Sequence, residues 1–261
     1  MKGYWALARA TALGALAYRT NFMLGLGGVF VQLVASLAVW RVVLAQSAVQ
    51  GFTWPQMRAY LLVAFASGTL VSLFGNLRMA FRIQNGDVAL DLVKPIDYQR
   101  ARFAETIGAV CIEVPVVLVV GGATIALTGD LRTPDAPALA LFLLSMVLLV
   151  PLKFVLMYST TLLCFWTQSF LGVQWARLAI INLFSGALIP LVYLPHWLGT
   201  AAQWSPFAGL TSTPALIFIG RVDAQHGLVL VSVQFGWTVV LWFAARLIWR
   251  SAVRQLTVNG G

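Results

Sequence analysis

An all-α, polytopic membrane protein with six spans is the fold class this sequence predicts, and three observations predict it. The 261 residues are 60% hydrophobic and only 10% charged, where a soluble domain carries roughly a quarter charged residues. The apolar residues form unbroken runs near membrane-spanning length instead of alternating with polar ones, so the bilayer is the solvent. Basic residues outnumber acidic ones by 17 to 8 and stand between the runs, as they do in the cytoplasmic loops of membrane proteins. The same composition excludes a disordered chain, a collagen-like repeat and a disulfide scaffold. The 22 glycines show no period, and Cys111 and Cys164 sit inside apolar runs as inert thiols. The formal charge of +9 is scattered rather than gathered with exposed aromatics, which argues against a nucleic-acid partner.

Taken in order, segment 1–20 contains Ala15-Leu16-Ala17, which looks like a cleavage site, but Arg9 interrupts the apolar stretch that a signal peptide needs. Its basic and aromatic composition suits a helix lying at the cytoplasmic membrane surface. The first span covers about 22–44, and the second about 60–81 after a polar turn with Gly51 and Pro55. The third, about 103–128, stops at the Pro- and Asp-containing stretch 130–137; the fourth covers about 138–163 and the fifth, which is short, about 178–194. Stretch 195–221 is too rich in Pro and Gly for one straight span and too apolar for a free loop, so it reads as short helices dipping into the outer membrane surface. The sixth span, about 227–249, completes a single transmembrane domain over 1–261, with no repeat and no linker.

Orientation follows from the charges near the span ends. With the N-terminus inside, Lys2, Arg9, Arg19, Arg78, Arg82, Lys94, Arg100, Arg102, Arg177, Arg246, Arg250 and Arg254 are cytoplasmic, while Arg41, Arg58, Arg132 and Arg221 are outside. Both termini are therefore expected in the cytoplasm and the protein in the cell membrane.

No GxxxxGK[ST], HExxH, CxxC or GxSxG run occurs, so no catalytic residue, metal-ligand set or cofactor bound by this chain is expected. His196 and His226, both outside, lack a paired carboxylate motif. The longest polar stretch is the cytoplasmic connection 82–102, RIQNGDVALDLVKPIDYQRAR. Asp87 is placed to cap a short helix after the flexible Gly86, and Lys94-Pro95 ends that helix with a cation and a breaker. Val88, Leu90, Leu92 and Val93 then present apolar surface with nothing of their own to pack against. Either a partner covers this helix or it folds back on the bilayer surface, and spacing leaves both open.

Glu113 and Lys153 lie inside the third and fourth spans, each about 15 Å from the cytoplasmic end at 1.5 Å per residue. Ionisable residues at such depth need a partner or a water-filled cavity. The two either neutralise each other between adjacent helices for packing or line a transport pathway. Pro115 and Pro151 nearby are expected to bend both spans.

GDVALDLVKPIDYQRAR, residues 86–102, resembles the cytoplasmic loop of type-2 ABC transporter permeases, where a glycine, a short apolar helix and a proline ending precede the third span. FSGALIPLVYLPHWLGTAAQWSPF, residues 184–207, resembles that family's fifth span with its outer-surface helices. YRTNFML (18–24), CFWTQS (164–169) and the Arg-rich tail ending Asn259-Gly260-Gly261 are similar to one branch of the family, and the likeness covers nearly the whole chain. The resemblance implies a permease subunit of an ATP-driven exporter. Two six-span subunits, identical or different, would pair above two separate ATPase subunits that carry ATP and Mg. It also implies that the loop helix is the ATPase-coupling element, which places Gly86, Asp87, Val88, Leu90, Asp91, Leu92, Lys94 and Pro95 at the docking site. The substrate is unidentified; the lack of a dense polar row along any span favours an amphipathic or lipid-like one. The alternatives are a membrane-embedded enzyme acting at the outer face through His196 or His226, and a non-transporting scaffold whose loop recruits a cytoplasmic protein.

Overall fold

A backbone immersed in lipid must satisfy its own hydrogen bonds, and this chain does so with helices. In the computed structural model, which describes residues 2–17, 19–46, 51–71, 74–129, 134–167 and 170–256, they are α1 (Lys2–Ala17), α2 (Arg19–Gln46), α3 (Trp54–Thr69), α4 (Phe74–Gln84), α5 (Val88–Leu92), α6 (Tyr98–Thr128), α7 (Ala136–Leu162), α8 (Cys164–Thr167), α9 (Phe170–Phe184), α10 (His196–Trp204), α11 (Ser212–Phe218) and α12 (Ala224–Leu256). No strand occurs among the described residues. Tyr18, Arg132, Gln168, Ser169, Asn259, Gly260 and Gly261 lie outside them.

Four described helical stretches are long and apolar enough to cross a membrane: Gly27–Ala45, Tyr98–Ala126, Ala136–Thr167 and Ala224–Arg254. They coincide with the first, third, fourth and sixth expected spans. Caps explain the starts of two of the helices. The Asp97 carboxylate accepts from the Arg100 amide at 2.8 Å and begins α6, and Asp135 does the same for Ala138 at 3.2 Å in α7. Both α6 and α7 continue as helix through Pro115 and Pro151.

The second expected span is not one helix. Stretch 60–81 is divided, because α3 ends at Thr69 and α4 begins at Phe74. Leu70 is extended (φ −64°, ψ 141°), and Val71 is left-handed with φ 58°, a conformation that β-branched residues rarely adopt. Ser67-Gly68-Thr69 prepares the stop. The Ser67 and Thr69 hydroxyls donate back to the Val63 and Phe65 carbonyls at 2.8 and 2.9 Å, an arrangement that competes with the helix ladder, and Gly68 is a poor helix former. The fifth expected span is displaced as well. Its helix is α9, Phe170–Phe184, after which the chain bends, and the Gly186 carbonyl accepts from the Tyr60 hydroxyl at 2.8 Å.

Stretch 195–221 forms short helices as expected, but they are not all surface elements. α10 exposes Trp197 and Trp204. α11 packs against α7 and α3, with Ser212, Thr213, Ala215 and Ile217 buried. The turn before it is held by Gln234 of α12, whose amide donates to the Gly209 and Ser145 carbonyls at 3.0 and 2.9 Å while the Ser145 hydroxyl donates to Gln234 Oε1 at 2.8 Å. That polar set is complete, as a buried network requires. α1 lies along α6. The approach is close enough that a Cβ at Gly108 would sit 2.1 Å from the Ala8 carbonyl oxygen, so only glycine is accommodated there.

The two largest of the four apolar clusters among the described residues separate α3 from α4. One gathers Met79, Ala80, Ile83, Val88, Tyr98, Phe154 and Tyr158, with Tyr98 stacked on Trp249 at 4.1 Å between ring centroids. The other gathers Phe52, Met57, Tyr60, Leu61, Val63 and Phe65. α4 belongs to the first cluster and α3 to the second, so the break at Leu70 and Val71 also lies between them.

Candidate functional site

The α3–α4 break draws Lys153 and Glu113 to itself. A helix C-terminus leaves carbonyls without partners and carries partial negative charge. Lys153 of α7 meets them. Its ammonium donates to the Ser67 carbonyl at 2.8 Å, to Gly68 at 2.9 Å, and to Leu70. On the other side of the break, Glu113 of α6, only 1% exposed, accepts the Val71 amide at 2.7 Å, a charge-assisted bond of the strong kind. Leu70 and Val71 are adjacent in the chain, so the two charges flank the same peptide bond. The structure thus brings the expected pair to one place, but through a third element that the residue pattern alone does not announce: the backbone of the α3–α4 break.

Arg177 lies nearby and is buried between α7 and α9. Its guanidinium donates to the Thr160 hydroxyl at 3.1 Å, to the Met157 carbonyl at 3.4 Å, and to Gln174 Oε1. Its position at the edge of an apolar run suggested only an interfacial cation.

The loop that follows α4 departs from expectation at Asp87 and Val88. Asp87 caps nothing: it is already helical (φ −61°, ψ −15°) and its side chain makes no cap bond. The reason is the preceding residue. Gly86, with φ 77°, ends α4 by donating to the Ile83 carbonyl at 3.2 Å, and the chain enters α5 through tight turns from Ala89 to Gly86 and from Leu90 to Asp87, both 3.1 Å. Asp87 is therefore inside the turn rather than ahead of it. Val88 is not surface either. It is 0% exposed and packs with Met79, Ala80 and Ile83 of α4. Leu90, Leu92 and Val93 do point outward, at 65%, 44% and 83% exposed.

Asp91 is the centre of this loop. Buried to 5% exposure, it faces Arg82 of α4 at 3.0 Å, Lys94 at 2.8 Å and Arg102 of α6 at 3.6 Å. Arg102 continues to Glu105 at 2.9 Å. A single carboxylate thus joins α4, α5 and α6. Lys94 and Pro95 leave the helix as expected, with the Lys94 amide on the Asp91 carbonyl at 3.2 Å. Asp97 has the corresponding role at the start of α6. Besides capping that helix, it pairs with Arg246 of α12 at 3.1 Å, and its amide donates to the Tyr4 hydroxyl of α1 at 3.2 Å. The signal for Asp91 was present as the Lys94 spacing and the flanking arginines, whereas nothing local separated Asp97 from an ordinary loop acid.

The site is therefore double, and α4 connects its halves. A charged clamp holds the break at one end of that helix, and a short apolar helix, fixed by a buried carboxylate, projects three side chains at the other. A family model described as ABC-2 family transporter protein matches residues 14–260. No curated protein matches the chain.

Proposed function

The chain belongs to the ABC-2 family of transporter proteins and is a permease subunit of an ABC transporter, and from that premise we propose that it serves an ATP-driven exporter whose ATPase docks on α5. The observation that carries the reading is α5 itself. A five-residue helix is too short to persist alone, yet this one is anchored by buried Val88 and by Asp91 while Leu90, Leu92 and Val93 stay uncovered. Holding apolar side chains rigidly outward spares a docking partner the entropy of ordering them. The exporter carries two ATPase subunits with ATP and Mg bound on them, and a second permease subunit, identical or different, completes the membrane assembly. The substrate is amphipathic or lipid-like, in keeping with the lack of a dense polar row along any span. Affinity purification of the tagged chain tests this. We expect a soluble subunit bearing a P-loop and ATP hydrolysis by the complex; a chain recovered without an ATPase would overturn the reading.

The topology belongs to the same proposal: six spans in the cell membrane, with α3 and α4 together making the second, and both ends of the chain in the cytoplasm. The support is the basic excess around α5 and the α12 end (Arg82, Lys94, Arg100, Arg102, Arg246, Arg250 and Arg254), which the positive-inside rule assigns to the cytoplasm. Single cysteines at Thr53 and His196, in a chain lacking Cys111 and Cys164, should react with an impermeant thiol reagent in intact cells. Protection at both, with labelling at Gln255, would mean the opposite orientation.

A further inference from the structure

We propose that Lys153 and Glu113 are positioning residues that pin a hinge in the middle of the second span, and that α4 and α5 move about it as one lever. The proposal goes beyond docking, and its lever half rests on the reading that α5 meets an ATPase. Three independent observations carry it. First, the backbone is interrupted: Leu70 is extended and Val71 left-handed, and strained residues of this kind gather at switch regions, where the surroundings hold them. Second, side chains from other helices hold the interruption. Lys153 of α7 takes the carbonyls of Ser67, Gly68 and Leu70, and Glu113 of α6 takes the amide of Val71. An ammonium among three carbonyls can exchange them one at a time, so the clamp can yield in steps without leaving a bare polar group in the membrane. Third, the chain on the α5 side of the break is stiff. Val88 shares a buried cluster with Met79, Ala80 and Ile83, and Asp91 holds Arg82 of α4 at 3.0 Å, closer than the 3.6 Å to Arg102 of α6. Force applied at α5 therefore passes along α4 and is released at the interruption, Leu70 and Val71.

The lever is about 16 Å long at 1.5 Å per residue, so a tilt of roughly 20° moves its far end by about 6 Å. Spin-label distances read this directly in the full-length chain in lipid nanodiscs, with Cys111 and Cys164 replaced by Ala. One label pair joins the end of α4 to α12 (Asn85→Cys with Ser251→Cys). A control pair lies within unbroken α6 (Arg100→Cys with Ala123→Cys); all four positions are exposed. The wild-type pins should give one narrow distance for each pair. Lys153→Met and Glu113→Gln should broaden the α4–α12 distance by about 5 Å, within the lever's roughly 20° range, and leave the α6 pair unchanged, while Lys153→Arg restores the narrow distribution. A Lys153→Met chain as narrow as wild type, or one in which both pairs broaden together, would overturn the hinge. The lever is read in the complex with its ATPase trapped by vanadate, where the α4–α12 distance should shift by a similar amount. An unmoved distance in a complex that has trapped nucleotide would overturn the lever while leaving docking intact. A chain that retains no ATPase would overturn the docking reading and the lever with it, and the pins are then judged on the isolated chain alone.

Discussion

A chain carrying Glu113→Gln and Lys153→Met together should be less destabilised than the sum of the two single changes. Lys153→Met strips the donor from the carbonyls of Ser67, Gly68 and Leu70 and leaves Glu113 charged in a medium that cannot solvate it. Removing one of two neighbouring charges in a low-dielectric interior costs about 3 to 5 kcal/mol. For a chain of this size that amounts to roughly 6 to 20 °C in the unfolding midpoint. Glu113→Gln keeps an acceptor for the Val71 amide but leaves the ammonium without its counter-charge. In the double variant neither charge remains, so the second change recovers some of what the first one cost. The cycle should show a coupling of about 0.5 to 3 kcal/mol. Thermal unfolding of the four chains in detergent measures it; strict additivity would mean that the two charges act at separate places.

Much of this architecture could be read from the residues, for a reason that also explains the misses. The helices over Gly27–Ala45, Tyr98–Ala126, Ala136–Thr167 and Ala224–Arg254 were legible because transfer to lipid depends on composition, which a window of sequence contains. The break at Leu70 and Val71 was not, since both residues are as apolar as those of an unbroken span. Its only local sign is Ser67-Gly68-Thr69, and what makes it tenable is Lys153, more than eighty residues away. The burial of α11 was hidden for the opposite reason: Thr211-Ser212-Thr213 looks like outer surface, yet these residues are buried where α11 lies against α3 and α7. In the loop, the apolar residues and the helix were legible, but not the division of labour among them. Val88 and Leu90 are equally apolar in sequence, and only the position of α4 decides that one is core and the other outward. Asp87 matched the rule for a cap, while Asp91 and Asp97, which the fold uses to join helices, depended on cations from α4, α6 and α12.

Replacing Leu90 and Leu92 together with Asp should leave the chain folded and inserted and deprive it of its ATPase. Both side chains are exposed, so the change acts on docking rather than on stability. Burying each leucine in a partner groove contributes roughly 1.5 to 3 kcal/mol. Losing both therefore weakens docking by about two to four orders of magnitude, at 1.4 kcal/mol per tenfold. Val88→Asp should behave differently: a charge placed among Met79, Ala80 and Ile83 damages the chain itself. Co-purification and thermal unfolding, run side by side, separate the two effects. If the Leu90→Asp and Leu92→Asp chain kept its ATPase at the wild-type level, α5 would not be the docking element, and a helix resting on the bilayer surface would explain its apolar face instead.

A photo-reactive cross-linking residue introduced at Leu90 tests the docking of an ATPase on α5 most directly, because the reaction records whatever touches that side chain in the intact membrane. The adduct, cut out and sequenced, should be a peptide from a soluble subunit that carries a P-loop, and it should vanish when Leu92→Asp is added. Adducts confined to lipid, with no protein attached, would contradict it.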